Sequence, residues 1–390
     1  MAIRNILEII NLPSSAINFI GGQFEYLHDE GGYEMHLICS PGEGIEEFCR
    51  ANKVKYQPAL LKRQVSVYKD IKALYIICNY IKRNNIDVVI AHQSKGRLLG
   101  MLACLITGVR HRIIFAHGIL YETSNGFKKK LLMLNDRFVS LVATKVVCVS
   151  SFVQKKRLED RIDIPEKQVL LGRGSCNGID TIKKFNPDLV NPIEVDNIKE
   201  KLGINASDFV IGFCGRLVKD KGIEELVEAF KKLKDYYPKK PLKLLIIGGS
   251  EVRDSLDSET LYYLKNSNEV VYTGIIPFED IQKYYLLMNV LVLPSHREGF
   301  GMVAVEASAM GIPVVVSNYT GCAETIIPNE TGIYVNKSSK SIIDALEKCF
   351  DKAYAQYLGN NGRKYVSENF EHTIIRTYVL DLIKTLNKKI

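Results

Sequence analysis

Two carboxylates, Glu298 and Glu306, stand eight positions apart at the opening of an otherwise apolar stretch, REGFGMVAVEASAMGIPVV, which starts at Arg297. The stretch from Gly301 to Met310 reads as a short helix that is apolar nearly all round, so most of it should be buried. Buried carboxylates are rare unless paired or hydrogen-bonded. A helical side chain leans back toward the helix N-terminus. Glu306, in the second turn, therefore points to the same helix mouth that Glu298 borders. Gly299 and Gly301 allow backbone amides to approach a ligand closely. Carboxylates accept hydrogen bonds from hydroxyl groups, so the pair suits a polyol. In the plainer alternative, Glu306 caps backbone amides and Glu298 is an exposed loop charge.

Other residues could supply the charge that a phosphorylated ligand needs. In GRLVKDKG (215–222), Arg216 and Lys221 bracket a loop that opens a helix. A guanidinium can fork two phosphate oxygens, an ammonium adds a point charge, and a helix N-terminus adds partial positive charge. Diphosphate binding is the expectation here; a solvated basic turn is the alternative. His117, with Gly118, closes the apolar run RIIFAHG. A histidine there can act as acid, base or polar binder near neutral pH, or be structural. Gly21 and Gly22, in NFIGGQFEYL, read as a glycine turn before a helix, where amides could meet an anion. On its own the pair reads first as a tight turn without a ligand, and it does not fit GxGxxG.

These residues must be held by something. The first half of the chain alternates apolar runs (6–12, 35–40, 87–92, 112–118 and 144–150) with amphipathic stretches such as 67–83. A polar stretch at 181–207 interrupts the pattern. The alternation then restarts with runs at 209–215, 242–249, 269–274, 289–295 and 312–317, and the chain ends in a helix-like segment, 372–388. Continuous apolar runs separated by helices indicate parallel sheets covered on both faces. The expected fold is α/β: two doubly wound Rossmann-like domains, 1–190 and 191–371, facing across a cleft that holds the ligand.

Composition sets further bounds. The 390 residues are 46% apolar and 25% charged, ordinary for a soluble globular chain of two or three domains. No run of apolar residues is long enough to span a membrane, and MAIRNILEIINLPSS lacks a clear cleavage signal. Nine scattered cysteines form no CxxC pair, which excludes a zinc ribbon or a thioredoxin-type site and suits a cytoplasmic protein. Residues 1–190 hold 27 Lys and Arg against 18 Asp and Glu, more than the whole net charge of +8. That half is expected to meet something anionic, such as a membrane surface or a phosphate-bearing lipid. Basic clusters stand at Lys62-Arg63, Lys128-Lys129-Lys130 and Lys155-Lys156-Arg157. No motif supports nucleic-acid binding.

With these residues in view, the chain resembles a family 4 retaining glycosyltransferase of the GT-B fold, of the bacterial polysaccharide or lipid-linked glycan type. Glu298-Gly-Phe-Gly-Met-Val-Ala-Val-Glu306 fits that family's E-x7-E motif, GRLVKDKG its GRL-x-x-x-KG, and CNGID (176–180) its NG-[IV]-D. Pro294-Ser295, Gly311-Ile-Pro-Val, VCVSSFVQ (147–154) and the early GGQFEYLHDEGGYEMHLI are also similar, so the resemblance covers nearly the whole chain.

The resemblance implies a nucleoside-diphosphate sugar, a UDP-sugar by family frequency, bound to the C-terminal domain. Arg216 and Lys221 would hold its diphosphate, Glu306 its ribose, and Glu298 the transferred sugar. The amides of Phe300, Gly301 and Met302 would touch sugar or phosphate. In the N-terminal domain, Gly22 would approach the diphosphate and His117 the sugar, and the C-terminal helix (372–390) would cross back onto that domain. The acceptor would be a lipid-linked or other saccharide, met by a cytoplasmic enzyme peripheral to the inner face of the cell membrane. No DxD sequence occurs, so no metal and no other cofactor is expected. A GT-B-type epimerase or hydrolase, or a glycan-binding partner subunit without activity, stand as rival readings.

Overall fold

The computed structural model describes residues 3–62, 64, 66–175, 177–251 and 255–387. They form two compact units: residues 1–178 with 372–390, and residues 179–371. The first carries strands β1 (Asn5–Ile9), β2 (Glu34–Cys39), β3 (Lys55–Pro58), β4 (Val88–Ala91), β5 (His111–Ala116), β6 (Lys145–Cys148) and β7 (Gln168–Leu170). Between them run helices α1 (Pro13–Asp29), α2 (Ile45–Ala51), α3 (Val67–Arg83), α4 (Ser94–Thr107), α5 (Gly126–Val142) and α6 (Ser151–Glu159). The sheet order is β3-β2-β1-β4-β5-β6-β7, with every pairing parallel. Its central strands are buried over most of their length, β4 throughout, which is why they read as unbroken apolar runs.

The second unit repeats the plan. It opens with α7 (Pro192–Lys201), then alternates β8 (Phe209–Cys214), α8 (Ile223–Tyr236), β9 (Leu242–Ile247), α9 (Ser258–Asn266), β10 (Val270–Gly274) and α10 (Ile281–Tyr285). It continues with β11 (Val290–Leu293), α11 (Met302–Ala309), β12 (Val314–Ser317), β13 (Ile333–Val335), α12 (Ser339–Cys349) and α13 (Lys352–Asn369). The order is β10-β9-β8-β11-β12-β13, again all parallel. The last helix, α14 (His372–Asn387), belongs to the first unit, where it packs on α1.

In each sheet the strand order reverses once, between β1 and β4 and between β8 and β11. The loops leaving these strands open a crevice at their carboxyl ends, the usual ligand seat of an open α/β sheet.

Three features differ from expectation. The units divide after Gly178 rather than at 190, because Phe185 is buried beside Tyr285 and Phe278 of the second unit. Gly21 and Gly22 form no turn. They lie inside α1, which starts at Pro13, a residue suited to a first helical turn. Gly21 sits against the Phe48 ring, and a Cβ on Gly22 would collide with the Arg376 guanidinium of α14. The pair thus makes room for neighbouring side chains, and the Gly22 amide belongs to the helix ladder. Finally, Arg157 is no surface cation. Its guanidinium is wholly buried, bonded to Asp163 (2.7 and 2.8 Å) and Asp136 (3.3 Å), with Arg97 on the other Asp136 oxygen (3.0 Å). Arg63 lies outside the described residues.

Candidate active site

In the second unit the reversal point gathers the loops that follow β8 and β11. After β8, Gly215 and Arg216 lead through a turn, Lys219–Lys221, to Gly222, which caps α8 in the left-handed conformation (φ 70°). Any Cβ there would strike the carbonyl oxygen of Pro294 in the β11 loop, so glycine is required for the two loops to touch. Asp220 ties them further: its carbonyl accepts from the amides of His296 (2.8 Å) and Arg297 (3.3 Å), and its buried carboxylate pairs with the Arg297 side chain. The β11 loop has other anchors. Ser317 Oγ donates to the Ser295 carbonyl (2.7 Å), and the His296 ring lies between Glu225 (2.8 Å) and Tyr319 (3.2 Å). The Glu298 carbonyl accepts from the Gly321 amide at 3.0 Å.

On this frame the predicted residues make three separate pairings. Lys221 forms an ion pair with Glu298, both side chains largely buried. Arg216 is half-exposed, its Nη1 3.1 Å from both oxygens of Glu251. Glu306, on α11, accepts from the hydroxyl of Tyr285 at 2.7 Å. Burial raises the Glu306 carboxyl to about 7, against the pull of Tyr285 and of the positive charge of Lys184. Burial also lowers Lys184, to about 8. Its ammonium lies 2.8 Å from the centre of the Phe278 ring. The two glutamates thus serve different neighbours: one closes on a lysine, the other anchors in an aromatic pocket.

The helix termini differ as well. The first turn of α8 contains Glu224 and Glu225, which already answer its positive end. The first turn of α11 contains no acid, and its cap residue is a glycine. The helix begins at Met302, with Gly301 (φ 93°) as its cap and Phe300 buried against Phe370. The stretch Phe300–Met302 is therefore the better placed of the two to receive an oxyanion.

In the first unit, His117 follows β5 at the carboxyl edge of the sheet. Its Nε2 lies 2.9 Å from Nδ1 of His92, and His92 Nε2 lies 2.7 Å from the carboxylate of Glu8. Burial, then the neighbouring His92 and Arg97, hold the His117 imidazole well below its ordinary pKa, so it is neutral at physiological pH. Gly22 lies within α1 rather than in a turn before a helix.

Sequence reasoning missed Lys184, Tyr285, Glu8 and His92. Lys184 stands in the polar stretch that interrupts the alternating pattern. His92 ends an apolar run just as His117 does, and the same strand-end rule applied to DVVIAH would have found it. Nothing in the sequence pairs Glu8 or Tyr285 with its partner.

The family description "Glycosyl transferases group 1" matches residues 194–365, and "Glycosyltransferase Family 4" matches residues 25–175. The chain is 32% identical over 392 residues, 99% of its own length, to the capsular polysaccharide biosynthesis glycosyltransferase CapM of Staphylococcus aureus, of which it covers 98%. It is 26% identical, covering 89% of this chain and 88% of the relative, to the Escherichia coli UDP-Gal:alpha-D-GlcNAc-diphosphoundecaprenol alpha-1,3-galactosyltransferase. Among solved structures, Anabaena Alr3699/HepE in complex with UDP and glucose aligns with a TM-score of 0.78 at 17% identity, over 98% of this chain and 100% of that one. The two parallel-sheet units are those of the GT-B fold. The chain belongs to the family 4 glycosyltransferases.

Proposed function

We propose that the protein is a retaining glycosyltransferase that moves a sugar from a UDP-sugar to a lipid-linked glycan in surface-polysaccharide synthesis. One observation carries this reading. The β8–β11 reversal point collects two cations, Arg216 and Lys221, two carboxylates, Glu298 and Glu306, and the N-terminus of α11. Cations suit a diphosphate, carboxylates suit hydroxyl groups, and the place is where this fold binds ligands. The E. coli relative's name carries both a UDP-sugar and a diphosphoundecaprenol acceptor.

Arg216 and Lys221 bind the diphosphate, each exchanging a carboxylate partner for phosphate oxygens. Lys221 thereby releases Glu298, whose carboxylate accepts from hydroxyls of the transferred sugar. Glu306, held by Tyr285, accepts from the ribose hydroxyls. The amides of Phe300, Gly301 and Met302 meet sugar or phosphate oxygens, and His117 meets a sugar hydroxyl.

In the reaction the bond between the anomeric carbon and the diphosphate oxygen breaks, leaving positive charge on the sugar and negative charge on UDP. Fixed cations and amides at the diphosphate lower that barrier, with no metal required. The acceptor oxygen attacks from the face the UDP leaves, and its proton passes to the departing diphosphate. Retention follows without a nucleophilic carboxylate, since Glu298 is a sugar ligand in this scheme.

The acceptor reading rests on the first unit. Helix α4 adjoins both α3 and α5, and the three expose Tyr68, Ile71, Tyr75, Leu105, Ile106 and Phe127 as well as Lys69, Lys72 and Lys128–Lys130. Apolar side chains among cations fit an anionic lipid surface, so the enzyme works at the inner face of the cell membrane. Among the described residues no helix is long and apolar enough to cross one.

The test is UDP release from UDP-sugars with and without a polyprenyl-diphosphate-linked glycan. Acceptor-dependent release that persists in EDTA supports the reading. Equal release without acceptor indicates a hydrolase, and interconverted sugar without release an epimerase. Unchanged donor binding in Lys221→Ala and Glu306→Ala would remove the site assignment.

A further inference from the structure

The first unit contains a buried polar chain of which the reading above uses only the last member. Glu8 on β1 is almost wholly buried, and each of its oxygens has its own partner. Gln23 Nε2 donates to Oε1 at 3.0 Å, and His92 Nε2 lies 2.7 Å from Oε2. His92, also fully buried, passes the contact on through Nδ1, 2.9 Å from His117 Nε2. Ring packing fixes the geometry. His92 stacks on Phe115 and on His117 (centroids 4.7 and 5.2 Å), and Phe19 of α1 meets the His117 ring edge-on at 5.4 Å. Strand pairing sets the spacing, because β4 lies between β1 and β5. At the end of the chain, His117 Nδ1 is buried and has no hydrogen-bond partner among the described residues. A buried polar atom left unpaired is costly, and a ligand group is one way to supply its partner.

A carboxylate only accepts, so His92 carries a hydrogen on Nε2. With a single N–H on each ring, His92 Nδ1 accepts and His117 Nε2 donates, whereas a second proton on His92 would reverse both roles. The neutral ring of His117 then has a bare lone pair on Nδ1.

We propose that Glu8 and His92 are positioning residues that fix the tautomer of His117, making its Nδ1 a hydrogen-bond acceptor reserved for a hydroxyl group of a bound sugar. The inference rests on the reading that His117 meets the transferred sugar. It adds a direction to that contact. Phosphate and carbonyl oxygens accept and do not donate, so neither can pair with Nδ1, whereas a sugar hydroxyl can. The ligand is selected by the polarity of one nitrogen, set by a carboxylate two residues away along the relay.

Nitrogen-15 NMR of the full chain with labelled histidine tests this first without a variant or a ligand. The chain has seven histidines, and a His117→Gln spectrum assigns the signal in question. The expected spectrum at neutral pH has His117 protonated on Nε2 and bare on Nδ1. The opposite tautomer, or an imidazolium, overturns the proposal. The second measurement uses Glu8→Gln, which keeps the shape and removes the obligate acceptor. His117 should then lose its single tautomer, and UDP-sugar turnover should fall about tenfold, the scale of lost outer-shell support. Affinity for UDP alone, which lacks the sugar, should be unchanged. An unaltered tautomer and turnover in Glu8→Gln would sink the positioning role. If instead the tautomer is as drawn but His117→Ala transfers sugar normally, the relay stands and the placement of the sugar at His117 fails.

Discussion

Glu306 shows what a single buried carboxyl can report. Its ordinary value is 4.5, and burial in the folded unit raises it to about 7. The native state therefore holds a proton that the unfolded chain gives up. Its contribution to stability is complete below about pH 4.5 and is lost as pH rises through about 7. In Glu306→Gln that slope should vanish: the wild type should lose melting temperature relative to the variant between about pH 5 and 8. A parallel pH dependence in both proteins would show that the group titrates normally. Ligand binding offers the reciprocal test. Ribose hydroxyls donating to the carboxylate favour its charged form. UDP binding near pH 6.5 should therefore release a fraction of a proton, seen by calorimetry as a binding enthalpy that varies with buffer ionisation enthalpy. Lys221 makes a simpler case. Its pair with Glu298 is partly buried, so Lys221→Ala should cost the free protein about 1 kcal/mol. It should also abolish most of the thermal stabilisation by UDP, which for the wild type is about 2.7 kcal/mol at a hundredfold excess over the dissociation constant.

At the scale of elements, the glycines separate what a sequence shows from what only packing decides. The E-x7-E and GRL-x-x-x-KG stretches were legible because each coincides with one local structure: strand, glycine turn, helix mouth. Gly222 fits this pattern, with a positive φ and the Pro294 carbonyl against it. Gly22 was misread because its reason lies in α14, more than three hundred residues later in the chain, whose Arg376 fills the space a side chain would take. The short strands β3, β7 and β13 passed unnoticed because β3 (KYQP) and β7 (QVL) have no buried residue and β13 (IYV) spans only three, so none gives a continuous apolar run. Glu8 and His92 lie in such runs, but their pairing depends on β1 lying beside β4, an order that a linear pattern does not specify. The two glycines predict a measurable contrast. Gly222→Ala forces a side chain into left-handed backbone and against rigid main chain, and should cost about 2–4 kcal/mol and weaken UDP binding. Gly22→Ala meets only the movable end of an arginine and gains about 1 kcal/mol of helix propensity, so its net cost should be smaller and UDP binding intact. Urea denaturation of both variants decides the order, and equal losses would mean that Arg376 is as immovable as backbone.

Over the whole molecule, charge is distributed by unit rather than by residue. The excess of cations lies in the first unit's sequence, and the structure shows which of them are available. Arg97 and Arg157 are buried with Asp136 and Asp163, and Lys95 pairs with Asp70 at 2.6 Å, so these do not face a partner. Lys62, Lys69, Lys72 and Lys128–Lys130 remain exposed, beside Tyr68 (78% exposed) and Phe127 (80% exposed). A basic residue near an anionic bilayer contributes about 1 kcal/mol, and that contribution is screened by salt within a Debye length. Buried aromatic side chains contribute a part that salt does not screen. The two parts can be separated by sedimentation with vesicles. Binding to phosphatidylglycerol-containing vesicles at low salt should greatly exceed binding to phosphatidylcholine alone, and should fall as salt rises. Reversing Lys128, Lys129 and Lys130 to glutamate should weaken low-salt binding by tenfold or more, since about 1.4 kcal/mol is a factor of ten. Phe127→Ser should instead weaken binding by a similar factor at low and high salt. A protein that stays in the supernatant with anionic vesicles at low salt would disprove a membrane role for this face, and would turn the search for the acceptor toward soluble saccharides.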